Sequence, residues 1–377
     1  MAATSDAGAA PGSPEANPPA PAASGRTAGA VDWPRWIRIA VILVVGLTVP
    51  LWVGDYWLST LGFVVIAAIG ALGLDVLTGW TGQISLGHAF FLAAGAYVAG
   101  WLGASEHLNA AIAIPLAGVA AGALGALVGP AALRLRGLYL GIVTIGLVYI
   151  GQYVAQTWTS FSGGSGGRSL PDPKFGSLDF ANGFHVGTHL FDRNACYYYL
   201  AFLLLALAML YVHNLARTKV SRDMTAVRDR ELAAAVLGVD VARTKVRAFV
   251  ISSAMAGIAG ALYGSFIGFV NPQTWGLVLS IQYVIMIVVG GMASLWGPLL
   301  GAVFVIGFPS VLQRVSSSLT FLSNGSNQGV ISPTDAADIA FGALLIVFLI
   351  LEPRGVMGLV RRIGGLMKQS LGRSVPR

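Results

Sequence analysis

Leu58-Ser59-Thr60-Leu61-Gly62-Phe63-Val64-Val65-Ile66-Ala67-Ala68-Ile69-Gly70-Ala71-Leu72-Gly73-Leu74-Asp75-Val76-Leu77 carries a single formal charge, Asp75. As a helix this stretch would reach about 30 Å, the thickness of a bilayer's hydrocarbon core. Similar runs lie at 37–53, 85–104, 110–132, 138–157, 196–214, 246–268, 277–292, 297–314 and 336–351. Of the 377 residues 55% are hydrophobic and 10% are charged, where a soluble domain carries about 25% charged residues. So few charges cannot cover a water-facing surface, and lipid must supply the outer solvent. The predicted fold is all-α: a polytopic transmembrane helical bundle of about ten spans. Gly and Pro interruptions leave nine or eleven spans, or re-entrant segments, open.

Charge placement orients the bundle. With the N-terminus in the cytoplasm, Arg26, Arg35, Arg38, Arg134, Arg136, the basic residues between Arg217 and Arg247 and those from Arg354 to Arg377 fall inside. Only Arg168, Lys174, Arg193 and Arg314 fall outside. Cytoplasmic loops are enriched in Lys and Arg, so both termini are predicted to be cytoplasmic. The net charge of +7 therefore reflects orientation against membrane lipid, and no nucleic-acid partner is expected. Residues 1–32 are rich in Ala, Pro, Gly and Ser and read as a disordered cytoplasmic tail without a signal-peptide pattern. A transmembrane domain over 33–353 follows, then a basic cytoplasmic tail over 354–377. Trp52, Tyr56, Trp57, Trp101 and Trp158 sit where interfacial anchors are expected. Cys196 is the one cysteine, which excludes an intrachain disulfide, and it reads as a small buried hydrophobe.

The predicted inner loop, 216–246, contains Ala226-Val227-Arg228-Asp229-Arg230-Glu231-Leu232-Ala233-Ala234-Ala235-Val236-Leu237-Gly238. Its composition favours helix, and Ala226, Ala233, Ala234 and Leu237 fall near one face, with Gly238 placed to end it. A short amphipathic helix over 226–238 is expected. It either presses into a cytosolic partner or merely links two spans. A second segment, Gly79-Trp80-Thr81-Gly82-Gln83-Ile84-Ser85-Leu86-Gly87-His88, is broken by glycines between two apolar runs. Interrupted helices at membrane depth expose polar groups to a central cavity. Thr81, Gln83, Ser85 and His88 are thus candidate pathway residues, or else form a polar turn at the inner surface. Gly291 to Gly297 echoes Gly82 to Gly87, each showing Gly-x-x-Ser-Leu before another Gly.

Asp75 must face protein, a cavity or the interface, since a charge in lipid costs about 2.5–3.5 kcal/mol. Pairing with His88 and proton coupling are the sharper readings, and a satisfied structural carboxylate is the plainer one. His185 and His189, with Asp179 and Asp192, lie in surroundings that do not read as helix, so no metal site is expected. The Gly-rich stretch 162–168 has no following Lys at the phosphate-loop offset, nor does any other stretch.

Several motifs together are similar to one family. Glu231, Ala233, Ala234 and Gly238 resemble the coupling loop of bacterial ATP-binding-cassette importer permeases, with Leu232 interposed where the family runs Glu-Ala-Ala. Gly238-Val239-Asp240 with Arg243-Thr244-Lys245 resembles the LivM-type branched-chain amino acid permease family. So do Gly79 to Ala89, Arg136-Gly137-Leu138-Tyr139-Leu140 with Val143-Thr144, Gly268-Phe269-Val270-Asn271-Pro272, Gly290 to Pro298, and Glu352-Pro353-Arg354-Gly355 with Gly358-Leu359. The motifs come in family order over roughly 37–362.

The resemblance implies a bacterial inner-membrane permease with no catalytic residue and no cofactor of its own. Its implied partners are a homologous second permease, two cytosolic ATPase subunits that bind ATP and magnesium, and an extracytoplasmic substrate-binding protein. Arg228, Asp229, Glu231, Ala233, Ala234 and Gly238 are the implied coupling residues, and Asn271 joins the candidate pathway. The implied solutes are branched-chain amino acids, with urea, short amides, aromatic acids or sugars as alternatives. An ion-coupled transporter would need paired intramembrane charges, and the runs supply only Asp75. A membrane enzyme would need a catalytic constellation, and no HExxH or Ser/His/Asp cluster reads from the sequence.

Overall fold

The computed structural model describes residues 44, 46–105, 108–135, 137–170, 172, 174–175, 178–180, 184–186, 189–318, 333–352, 355–359 and 362. The chain divides into two units, Met1–Val45 and Gly46–Arg377, and only Val44 of the first is described. The expected tail 1–32 lies outside the described residues, as does the tail 354–377 apart from 355–359 and 362.

Helix α1 spans Asp55–Thr81, α2 His88–Ser105, α3 Ala110–Val128, α4 Leu138–Thr157 and α5 Arg193–Leu215. Two short helices follow, α6 over Lys219–Asp229 and α7 over Glu231–Val236. Then come α8, Val241–Ile267, and α9, Leu277–Gly290. Helix α10, Gly297–Ala302, runs through a π turn at Val303–Gly307 into α11, Phe308–Ser318. Pro309 has no amide to offer the ladder, and the π turn just before it takes up that mismatch. Helix α12 spans Pro333–Leu351.

Among the described residues, six helical stretches are long and apolar enough to cross a membrane: Asp55–Thr81, Ala110–Val128, Tyr139–Thr157, Arg193–Leu215, Val241–Ile267 and Gly297–Arg314. His88–Ala104, Leu277–Gly290 and Asp338–Leu351 are shorter apolar helices. The protein is an all-α membrane protein, and every predicted run from 58–77 onward has a helix at its place. The first run, 37–53, falls mostly outside the described residues, with 46–52 helical.

The core is built around α1 and α8. Helix α1 is apolar on all sides and buried on all sides, the state expected of a central helix. Helix α8 packs against α1, α2 and α3. Small residues let the backbones touch: a Cβ on Gly260 would run into the Leu92 carbonyl of α2, and one on Gly95 into the backbone of Gly257. Between α4 and α5, strand β1 (Arg168–Ser169) pairs antiparallel with β2 (Phe269–Val270), Arg168 opposite Val270. Two further small hairpins, Lys174–Phe175 with Leu178–Asp179 and Phe184–Val186 with His189–Phe191, share this connection. The β1–β2 pair lies beside the C-terminus of α8, and the Gly82–Gly87 break follows the C-terminus of α1.

Candidate functional site

Helix α1 ends because Gly82 adopts a left-handed conformation, φ 69°, open to glycine at little cost. Its amide donates to the Thr78 carbonyl at 3.1 Å, and the Gln83 amide to Leu77 at 3.3 Å. The chain then runs irregularly to His88, the first residue of α2. Thr81, Gln83, Ser85 and His88 are all buried, each at most 5% exposed. The Thr81 hydroxyl donates to the Leu77 carbonyl. Gln83 Nε2 donates to Thr81 Oγ1 at 2.9 Å and to the Lys245 carbonyl at 3.5 Å. Ser85 Oγ accepts from the Gly87 amide at 3.4 Å, and the Leu86 amide donates to Thr144 Oγ1 of α4 at 3.0 Å. The His88 ring stands 4.9 Å from that of Tyr283 and bonds to the Gly70 backbone. Gln83 Oε1 and His88 Nε2 have no hydrogen-bond partner among the described residues.

Thr81 and Gln83 are hydrogen-bonded to each other, while Ser85 and His88 contact other groups and Asn271 caps a turn of its own. Asn271 lies beyond the C-terminus of α8, a helix of about 40 Å. There its Oδ1 caps a 3₁₀ turn by accepting from the Thr274 amide at 2.9 Å and the Thr274 hydroxyl at 2.6 Å.

The expected single helix over 226–238 is two helices. Arg230, at φ −153° and ψ 98°, breaks the path between α6 and α7. The break turns α7 so that Glu231 meets Lys245 and Ala234 packs inward. Helix α6 buries Ser221, Met224 and Val227 and turns its charges outward. The face drawn through Ala226, Ala233, Ala234 and Leu237 is also not one face. Ala234 is buried, while Ala233 and Leu237 are exposed.

Gly238, at φ 83°, ends α7 as expected. The Gly238 amide donates to Ala235 and the Val239 amide to Ala234, both at 3.0 Å, the paired bonds of a Schellman cap. Leu232, Val236 and Leu237 are 74%, 87% and 83% exposed, so α7 turns a bare apolar surface outward.

Two ties hold this loop to the spans. Arg228 Nη1 donates to the Gly79 carbonyl near the end of α1 at 2.9 Å, while the guanidinium also contacts Asp229 at 3.1 Å. Lys245 Nζ lies 2.9 Å from Glu231 Oε1. Lys245 escaped the sequence reading. Its signal was a lysine at the mouth of an apolar run, which needs a carboxylate when buried.

Asp75 is 1% exposed, and its carboxylate accepts the Ala293 amide at 2.8 Å rather than pairing with His88. Ala293, at φ 56°, is the one non-glycine with positive φ among the described residues, and Asp75 holds it there. Arg193 pairs with Asp172 at 2.8 Å and donates to the Phe266 carbonyl at 3.1 Å, capping α8. No group of three or more His, Cys, Asp or Glu able to hold a metal occurs among the described residues, and the side chains of His185 and His189 lie outside them.

Fold and loop define a multi-pass helical membrane protein with an exposed apolar surface on the loop between α5 and α8. Residues 56–349 match the family described as branched-chain amino acid transport system / permease component, and the chain belongs to that family. It is similar to the high-affinity branched-chain amino acid transport system permease protein LivM of Salmonella typhimurium. The two are 31% identical over 86% of this chain and 75% of that protein. The LivM of Escherichia coli K12 is 30% identical over the same shares. LivH of Escherichia coli K12 is 26% identical over 54% of this chain and 59% of its own length. The autoinducer 2 import system permease protein LsrC of an Enterobacter species is 38% identical over 30% of this chain and 34% of its own length. No solved structure matches the chain.

Proposed function

We propose that this chain is the permease subunit of a bacterial ATP-binding-cassette importer that moves branched-chain or related amino acids across the inner membrane. The observation that carries the reading is the loop between α5 and α8. Its outer surface, Leu232, Val236 and Leu237, is apolar in water, and its inner surface is pinned at Arg228 and Glu231 to the ends of α1 and α8. A linker needs neither feature, whereas a coupling element needs both. Family membership supplies the transport context.

In this reading the transmembrane domain covers 33–353 with about ten spans, and the tails 1–32 and 354–377 lie in the cytoplasm. The loop end faces inward, where the basic residues concentrate. A homologous second permease completes the pathway, a pairing supported by the similarity to both LivM and LivH. Two cytosolic ATPase subunits bind ATP and magnesium, and an extracytoplasmic binding protein delivers the solute. The chain itself makes and breaks no bond. ATP-driven closure of the ATPases draws on α7, and the spans switch between outward and inward access.

Thr81, Gln83, Ser85 and His88 form the candidate gate of the pathway. Buried at rest, they include two unpartnered polar atoms that opening of the break would offer to a zwitterion. The similarity to the autoinducer 2 import permease LsrC over a shorter stretch supports a solute other than an amino acid as the second reading.

The test is reconstitution. This chain, its co-purifying subunits and the binding protein are placed in vesicles, and uptake of labelled leucine and urea is followed with and without ATP. ATP-dependent leucine uptake is expected. Uptake by the chain alone on a proton or sodium gradient would overturn the reading.

A further inference from the structure

Lys245 touches two structures at once. It stands in the second turn of α8 with its side chain 6% exposed, and its ammonium lies 2.9 Å from Glu231 of α7. Its carbonyl accepts from Gln83 Nε2 at 3.5 Å, a long bond, and the same Nε2 donates to Thr81. The side chain thus holds α7, and the backbone holds the Gly82–Gly87 break. Arg228 adds a parallel tie to Gly79, in the last turn of α1. The contacts of the Lys245 carbonyl and of Arg228 both fall on the five residues from Gly79 to Gln83.

We infer that Lys245 is the positioning residue through which movement of α7 reaches the Gly82–Gly87 break. The inference rests on the proposed function. Three features carry it. First, α7 has few anchors of its own: it is six residues long and buries only Ala234, so a pull on Leu232, Val236 and Leu237 loads the Glu231–Lys245 pair. Second, an ion pair whose lysine is buried, at 6% against 25% exposed for Glu231, is a poor staple. Apolar residues of the same volume stabilise as well or better, and such pairs are retained where geometry or register must be fixed. Third, the far end of the relay is weakly held. The bond that reaches it from Lys245 is 3.5 Å long and the one from Gly87 to Ser85 3.4 Å, against 2.9–3.0 Å for those to Thr81 and Thr144, and Gln83 Oε1 and His88 Nε2 are unpartnered among the described residues. Displacing the first turns of α8 withdraws the Lys245 carbonyl from Gln83 and frees the break to open.

The test uses the whole reconstituted importer and reads solute taken up per ATP hydrolysed, normalised to assembled complex. ATP-driven uptake by the parent complex checks the proposed function separately. In Lys245→Met the ratio is expected to fall about tenfold, within the usual range of allosteric coupling energies. Glu231→Gln should do the same, and the double variant should be no worse than either alone. The exchange Glu231→Lys with Lys245→Glu should recover at least part of the loss, which a purely steric role would not allow. Lys245→Arg should stay near the parent. A parental ratio in assembled Lys245→Met would overturn the inference, as would additive losses in the double variant. If Lys245→Met fails to assemble, the exchange variant decides: coupled uptake supports the relay. Assembly without coupling, or failure of every variant to assemble, makes the pair a folding element and overturns it.

Discussion

Two helix breaks share a sequence pattern and lie near each other, yet they are held in opposite ways. In each, a glycine of positive φ ends an apolar helix: Gly82 at 69° after α1, Gly291 at 109° after α9. In each, a serine hydroxyl accepts from the amide of a later glycine, Ser85 from Gly87 at 3.4 Å and Ser294 from Gly297 at 3.0 Å. The second break is then locked. Ser294 Oγ donates to the Gly291 carbonyl at 2.7 Å, and Asp75 takes the Ala293 amide. Gly290, Gly297 and Gly301 leave no room for a Cβ between α9 and α10. The first break has a longer serine bond, two polar atoms unpartnered among the described residues and connections to the loop between α5 and α8. Segments with few satisfied contacts open at lower free energy. One pattern has therefore yielded a lock and a joint, and the groups around each break decide which.

Substitutions should expose the difference, the lock costing stability and the joint costing transport. The largest effect is expected from Gly297→Val, which drives a side chain into the Gly291 carbonyl. About 3 kcal/mol should be lost, read as a lower thermal midpoint of the purified protein. Asp75→Ala should follow at about 2 kcal/mol, the worth of a hydrogen bond to a charged group in a buried site. Asp75→Asn, which keeps an acceptor, should recover much of it. A parental midpoint in Asp75→Ala would remove the lock.

On the joint's side, Leu232→Glu with Val236→Glu should leave the thermal midpoint near the parent's. It should weaken capture of the ATPase subunits about tenfold, a modest hot-spot loss. Unchanged capture would detach the loop from the role given to it. A smaller stability loss than at Gly297 or Asp75 is expected from Gly82→Ala, about 1 kcal/mol for a left-handed non-glycine. Its Cβ would also press on Arg228, so uptake should fall further than stability. Equal stability losses in Gly82→Ala and Gly297→Val would erase the comparison.

Much of the bundle was legible because its cause is compositional. An apolar run long enough to span has no alternative to helix in lipid, and a helix marks each run from 58–77 on. Boundaries were legible only where a cap announced itself. Gly238 stops α7 as read, whereas α8 starts at Val241, ahead of its apolar run, because Asp240 Oδ1 caps the Arg243 amide at 3.0 Å. The split at Arg230 left no trace, since arginine is a good helix former and no Gly or Pro marks the spot. Of the candidate site, the cluster Thr81, Gln83, Ser85 and His88 was found through its glycines. Asn271 came from its family motif and caps a 3₁₀ turn beyond the C-terminus of α8.

The sequence by itself determined a helical membrane protein, the place of its glycine breaks and the polar loop between α5 and α8, because hydrophobicity and glycine act locally along a chain. Only the tertiary structure decided that Glu231 meets a lysine fourteen residues on, that Asp75 serves Ala293 rather than His88, and that Ala233 and Ala234 point opposite ways. A charge in a sequence states that a partner is needed. Which group becomes that partner depends on distances in three dimensions, and those are set by how α1 and α8 pack.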